Sequence, residues 1–386
     1  MIIYLTSGTE NTIMAQRFCK AYPGAEIISV PDNEEDRQAL FAKETHSGKH
    51  NIFITPARGQ HFKVCPGTSD PYICCNYWTL HQATNCPFDC TYCILQYYLN
   101  NPLLTIFSNL DDLLEMIRER IREEPKRFFR VGTGELADSL AIDDVAQAGP
   151  ELIRFAAKQP NMILELKTKS EKVDHLLDVK HEGRSVISWS LNPINRIIEH
   201  EYRAATLEAR MKALEKVQKV GYMTGFHFDP MLIDGDWKKD YEELVKTLFK
   251  HADPSRIAWI SIGSLRFPPE MGEKVKAKFP QSNLLDGEMI RGNDNKQRYF
   301  KPLRIAAYKH LYNLLHKYGG KDLFIYFCME DADTWQEVMG FSPDNNAHLD
   351  FMFAEYLNNK FPKLNIPYAD EKVYKGFHTK RSWEKP

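Results

Sequence analysis

The sequence predicts an α/β protein: a partial barrel, preceded by a small N-terminal α/β domain and followed by a C-terminal extension. From residue 77 onward, strand-like and helix-like segments alternate, and repeated βα alternation builds a parallel sheet. Six such units suit a curved or closed sheet. At 386 residues the chain has room for two or three domains of about 150 residues each. The expected divisions are 1–75, 76–290 and 291–386.

In chain order, apolar Ile2 to Leu5 reads as a strand, Ser7-Gly8-Thr9 as a plain turn, Thr12 to Lys20 as a helix, and Glu26 to Val30 and Asn51 to Thr55 as further strands. The barrel strands are expected near 77–82, 127–131, 162–167, 185–190, 222–228 and 256–262. Helices are expected between them at 110–123, 151–158, 204–220 and 241–251; Leu207, Met211, Leu214 and Val217 recur at helical spacing. A long helix over 301–318 and a last strand at 323–328 follow, before a Lys- and Tyr-bearing tail from Asn365 without clear period. Barrels of this kind place their chemistry in the loops after the strands.

A net charge of -2 gives no global field for a polyanion, so any nucleic-acid contact has to be local. Lys296, Arg298, Lys301 and Arg304, interleaved with Tyr299 and Phe300, form the best local basic patch. No apolar run approaches a membrane span and the start lacks a signal-peptide pattern, so the expected setting is the cytoplasm, without a membrane partner.

The 8 cysteines are unevenly placed: Cys65, Cys74, Cys75, Cys86, Cys90 and Cys93 fall in one short stretch, which in a reducing compartment suggests metal or redox chemistry. Cys86, Cys90 and Cys93 form a C-x3-C-x2-C loop just after the first barrel strand. Three thiolates can hold three irons of a [4Fe–4S] cubane, leaving the fourth iron open for a substrate. An open iron is what reductive cleavage of S-adenosylmethionine to a 5′-deoxyadenosyl radical needs. The competing reading is a zinc site built on the Cys90/Cys93 pair with a distant fourth ligand.

The loop resembles that of the radical S-adenosylmethionine superfamily, which implies a (β/α)6 partial TIM-type barrel. Cys93-Ile94-Leu95-Gln96, Lys167-Thr168-Lys169, Lys180-His181-Glu182-Gly183-Arg184, Trp189-Ser190-Leu191-Asn192 and Arg266-Phe267 further resemble, in order, the spore photoproduct lyases. That resemblance implies a lyase-like enzyme repairing a thymine photoproduct in DNA by hydrogen abstraction, with a [4Fe–4S] cluster, S-adenosylmethionine and an external electron donor such as flavodoxin or ferredoxin. It implies Tyr92 against the adenine, Lys169 and Ser190 at the methionine carboxylate, and Gly134-Glu135 at its amine. Two departures stand out. Those lyases have a hydrogen-donating cysteine after strand two, where this chain has Glu135-Leu136-Ala137-Asp138-Ser139, and a Tyr after the third cluster cysteine, where this chain has Ile94.

Cys328 is the candidate replacement donor, set against the plainer reading of a buried thiol. Cys65, Cys74 and Cys75 are read as free thiols, as part of a second metal site with His61, or as thiols near the radical. His227 and Asp229, two apart on strand five, are candidate substrate contacts if they face the lumen. Two other functions stay open: a radical enzyme acting on a peptide, nucleotide or other metabolite, and a non-catalytic iron–sulfur or zinc protein that binds nucleic acid.

Overall fold

Alternating apolar strands and amphipathic helices leave the chain few ways to bury both faces of a parallel sheet except by wrapping helices around it. The computed structural model describes residues 1–44, 48–66, 71–367 and 370–375. Gly67 and Thr68 of the upstream cysteine motif and most of the Lys- and Tyr-bearing tail lie outside them.

In chain order the strands are β1 (Ile2–Thr6), β2 (Glu26–Val30), β3 (Ile52–Thr55), β4 (Phe62–Val64), β5 (Trp78–Leu80), β6 (Ala83–Thr84), β7 (Asp89–Cys90), β8 (Leu104–Phe107) and β9 (Phe129–Gly132). They continue as β10 (Met162–Thr168), β11 (Ser185–Ser190), β12 (Glu201–Tyr202), β13 (Met223–Met231), β14 (Ile257–Ser264), β15 (Arg266–Phe267), β16 (Ile290–Arg291), β17 (Gln297–Arg298) and β18 (Ile325–Phe327). One sheet has the order β2-β1-β3-β8-β6, and the main eight-stranded sheet runs β18-β14-β13-β11-β10-β9-β5-β4.

All neighbours from β5 to β18 in the main sheet are parallel, so the six expected barrel strands form one curved sheet with β18 as a seventh parallel member. Antiparallel β4 flanks β5 at the other end. The fold is therefore the expected partial barrel. The positions 75/76 and 290/291 are not sheet boundaries: β4 belongs to the barrel sheet, β6 and β8 to the N-terminal sheet, and β18 pairs with β14.

The strands β11 and β14 are buried along their whole length, because helices cover the outside and the lumen is packed. A helix over Asn346–Lys360, not expected from the sequence, packs its Phe353 ring against Trp259, Phe324 and Tyr326 and beneath the guanidinium of Arg130. It thereby bridges strands from both ends of the open sheet. Buried Asp350 on the same helix accepts from Arg127 Nη2 at 3.0 Å. No described helix is long and apolar enough to cross a membrane.

Candidate functional site

The ends of the barrel strands and the loops after them wall a cavity of about 730 Å³. Cys86, Cys90, Cys93, Tyr92, Gly134, Glu135, Lys169, Ser190 and Asp229 all line it, so residues that the sequence places far apart share one wall.

The cysteine loop is held by local hydrogen bonds. Asn85 sits at φ 72°, a left-handed conformation that Asn tolerates, and its amide donates to the carbonyls of Asn101 and Pro102 at 3.2 Å, tying the loop's entry to its exit. Gln96 Nε2 donates to the Cys90 carbonyl at 2.7 Å. Two-residue β7 pairs antiparallel with β12, setting Cys90 opposite Glu201. On the outer side, Asp89 accepts from Lys278 Nζ at 2.6 Å, and Lys49 Nζ donates to the Phe88 carbonyl at 2.5 Å.

The three thiols fit the cluster. Burial, with nearby Asp138 and Cys93, pushes the Cys86 thiol up to about 12, and burial also drives Cys90 up, with Cys93 and Cys86 adding to it. Iron binding would displace the thiol protons and neutralise the resulting thiolate charge. Among the described residues no three His, Cys, Asp or Glu side chains converge as ligands of one metal ion would. A cubane instead asks three thiolates to bind separate irons around a shared space.

Tyr92 donates to Glu201, which also pairs with fully buried Arg210. Lys169 Nζ lies 5.5 Å from the centre of the Tyr92 ring. Burial alone would lower the Lys169 ammonium, but Glu201 and Cys90 more than offset it and hold it above the usual lysine value. Asp138 stands in the segment where the resembling lyases have a thiol. It accepts from Thr168 Oγ1 at 2.6 Å and from the Lys169 backbone N–H at 2.8 Å, fastening this loop to the end of β10.

Sequence reasoning missed His81, whose Nε2 donates to Glu135 Oε2 at 2.6 Å. Burial opposes ionisation of Glu135, but bonds from His81 and Thr79 outweigh it and keep the carboxyl below its ordinary range. The available signal was spacing: Thr79 and His81 lie two apart at the end of the first barrel strand, on one face. Gly134 packs closely on Lys167: a Cβ there would lie 3.1 Å from the Lys167 Cβ, so the neighbour would have to shift by a few tenths of an ångström.

His227 and Asp229 both face the lumen but differ in depth. His227 Nε2 donates to Glu165 Oε1 at 2.7 Å, within a buried group completed by the Tyr77 hydroxyl at 2.6 Å and Trp259 Nε1 at 3.0 Å, and it is not in the cavity wall. Asp229 reaches the wall and takes a two-pronged bond from Arg266, both contacts at 3.0 Å. Cys328, the expected hydrogen donor, does not line the cavity. Its Sγ lies 3.2 Å from Arg266 Nη2, behind the Asp229–Arg266 pair, and burial raises the thiol to about 12.

Cys65, in contrast, is in the cavity wall. Cys74 and Cys75 pack toward the C-terminal helix instead: the Cys74 N–H donates to Asn346 Oδ1 at 2.7 Å, and Arg130 donates to the Cys75 carbonyl. Both ring nitrogens of His61 lie 3.1 Å from backbone carbonyls, of His81 and Arg58.

The expected basic patch is not a surface patch. Arg298 and Arg304 are 1% and 3% exposed. Arg298 pairs with Asp294 at 2.6 Å and lies over the Tyr72 ring, Arg304 pairs with Glu330 at 3.2 Å, and Lys301 with Asp331 at 3.1 Å. Linear spacing groups these side chains, but nearby Asp294 takes the Arg298 guanidinium inside and Glu330, 26 residues on, takes that of Arg304. Of the four, only Lys296 lines the cavity.

The family model described as spore photoproduct lyase matches residues 67–317. The spore photoproduct lyase of Clostridium acetobutylicum is 25% identical over 317 residues, covering 82% of this chain and 87% of its own. That of Bacillus subtilis is 30% identical over 233 residues, 60% of this chain and 66% of its own. A solved spore photoproduct lyase variant with bound AdoMet and dinucleoside spore photoproduct superposes with a TM-score of 0.73 at 21% identity, covering 84% of this chain and 98% of that one. With the family model spanning well over half the sequence and the cysteine loop on the wall of the barrel cavity, the chain belongs to the spore photoproduct lyase family.

Proposed function

We propose that this protein is a radical S-adenosylmethionine lyase that repairs a thymine photoproduct in nucleic acid. The observation that carries the proposal is the single cavity in which the three loop thiols, Lys169, Ser190 and Glu135 meet. A [4Fe–4S] cluster with S-adenosylmethionine, when bound, supplies a carbon-centred radical able to take a hydrogen atom from an unactivated position. The chain's own residues would hold and aim the cofactors. Cys86, Cys90 and Cys93 would ligate the cluster. Lys169 and the Ser190 hydroxyl would hold the methionine carboxylate, Glu135 would accept from its amine, and the Tyr92 ring would bound the adenine. The half-buried Asp229–Arg266 pair would stiffen the wall around the substrate.

Hydrogen return to the product calls for a weak X–H bond, and a thiol is the weakest among side chains. Cys65 rather than Cys328 suits this role, because it stands in the cavity wall outside the cluster set. The electron would come from an external flavodoxin or ferredoxin. The competing reading, with a peptide or metabolite as substrate, has no comparable observation in its favour.

Anaerobically reconstituted protein given a strong reductant and S-adenosylmethionine should release 5′-deoxyadenosine and methionine, and Cys90→Ala should release neither. Lack of cleavage by protein carrying a complete cluster would sink the proposal.

A further inference from the structure

The cavity has a surplus of positive charge. Lys63, Lys167, Lys169, Arg266 and Lys296 line it, against the carboxylates Glu135, Asp138 and Asp229. The cofactor set does not cancel this surplus: a dicationic cubane on three thiolates is a net monoanion and S-adenosylmethionine a net monocation, so together they add nothing.

The carboxylates are also committed elsewhere. Asp229 is matched by Arg266, Glu135 by His81 and Thr79, and Asp138 by the backbone and hydroxyl of the β10 end. Among the described residues neither Lys63 nor Lys167 makes an ion pair. Lys296 Nζ lies 3.5 Å from Asp294, a carboxylate that Arg298 already holds at 2.6 Å.

The three lysines reach the cavity from different segments. Lys63 comes from β4 and bears on Glu135. Lys167, two residues past Glu165 on the lumen face of β10, lies across Gly134 and bears on Asp229. Lys296 precedes β17, and β17 pairs with the strand that carries Arg266. Burial pushes the Lys296 ammonium below the usual lysine value, with the Arg266 charge adding to it. A cation so placed gains from an anionic ligand that replaces lost hydration.

We propose that Lys63, Lys167 and Lys296 form a subsite within this cavity for a phosphodiester of the substrate. The inference rests on the nucleic-acid reading above and specifies how that substrate is held: by one backbone phosphate drawn inside the cavity rather than by an outer basic patch. Charge, not shape, does the recognition, because an ammonium binds phosphate as a point charge.

The test is equilibrium binding to the cluster-loaded, S-adenosylmethionine-bound protein. Three probes are used: a thymidine dinucleotide with its phosphodiester, the same dinucleotide with a neutral methylphosphonate bridge, and thymidine 5′-monophosphate. The phosphodiester should bind at least about tenfold tighter than the methylphosphonate, with a preference that shrinks as salt rises. Lys167→Gln and Lys296→Gln should each reduce that preference, and the double variant should abolish it. Equal affinity for charged and neutral bridges in the wild type, or a preference surviving in the double variant, would overturn the subsite. A mononucleotide binding as tightly as the dinucleotide would overturn the assignment to a bridging phosphate.

The affinity of each variant for S-adenosylmethionine shows whether its cavity is intact. Repair of the dinucleoside photoproduct, which has no phosphate, is scored separately. Selective phosphodiester binding without repair would leave the subsite standing and remove the lesion reading, whereas repair without charge preference would do the reverse.

Discussion

Single hydrogen bonds decide what the cavity can do. Glu135 can accept from an amine only while it is ionised and correctly turned, and the 2.6 Å bond from His81 secures both. His81 is thus a positioning residue. His81→Ala should weaken S-adenosylmethionine binding about tenfold, roughly 1.4 kcal/mol, while His81→Gln, whose amide nitrogen can stand where Nε2 stands, should restore most of it. Titration calorimetry on both variants checks this; equal loss in the two would show His81 to be needed only for packing. That Tyr92, Glu135, Lys169 and Ser190 line one cavity could be anticipated because their motifs lie at strand ends. The pairing of His81 was harder to see, because the spacing of Thr79 and His81 marks a shared face but not the partner 54 residues away. Cys328 follows a strand end as expected but is not in the cavity wall, because Arg266 from another strand stands beside the thiol.

At the level of elements, the cluster loop is braced by a buried polar group. Glu201 on β12 accepts from Tyr92 and Asn192 and pairs with Arg210, and both ion-pair side chains are 0% exposed. Burial works against ionisation of Glu201, but Arg210 and Lys169, with the Tyr92 bond, hold the carboxyl below its ordinary value of 4.5. The folded value therefore lies under the unfolded one. The pair's contribution is fully present above the unfolded value and is lost as pH falls through the folded value. Glu201→Gln strands Arg210 and should cost about 3–5 kcal/mol at neutral pH. The deficit should narrow in acid; thermal unfolding as a function of pH would show it, and a deficit constant with pH would contradict it. The barrel strands and the helices over Ile13–Ala21, Leu110–Glu123, Ala148–Ala156, Leu207–Lys219, Trp237–His251 and Lys301–Gly319 were legible, whereas others, such as Glu34–Glu44 and Ala332–Met339, were not. The helix over Asn346–Lys360 was not picked out, although Leu349, Phe353 and Leu357 recur every fourth residue. Its partners Arg127, Arg130 and Trp259 belong to strands read separately, so nothing local announced that it closes the barrel.

For the molecule as a whole, the net charge of -2 hid where positive charge is concentrated. Linear spacing grouped Lys296, Arg298, Lys301 and Arg304, yet folding sends Arg298 and Arg304 inward to Asp294 and Glu330 and leaves Lys296 at the cavity. Arg304→Ala should accordingly lower stability by about 3–5 kcal/mol, by leaving Glu330 buried and unpaired, with little change in oligonucleotide affinity per folded molecule. Denaturant unfolding and binding measured side by side check this; unchanged stability with weakened binding would restore the surface patch. The fold class and the cluster loop were readable because both are written in short, ordered motifs. The charge layout was not, because it depends on contacts between distant segments. The claim that the cavity repairs a thymine photoproduct is tested most directly by incubating reduced, cluster-loaded protein and S-adenosylmethionine with purified dinucleoside spore photoproduct. Mass-resolved chromatography should show two thymidines appearing at the expense of the photoproduct, whereas release of 5′-deoxyadenosine with the photoproduct untouched would contradict the claim.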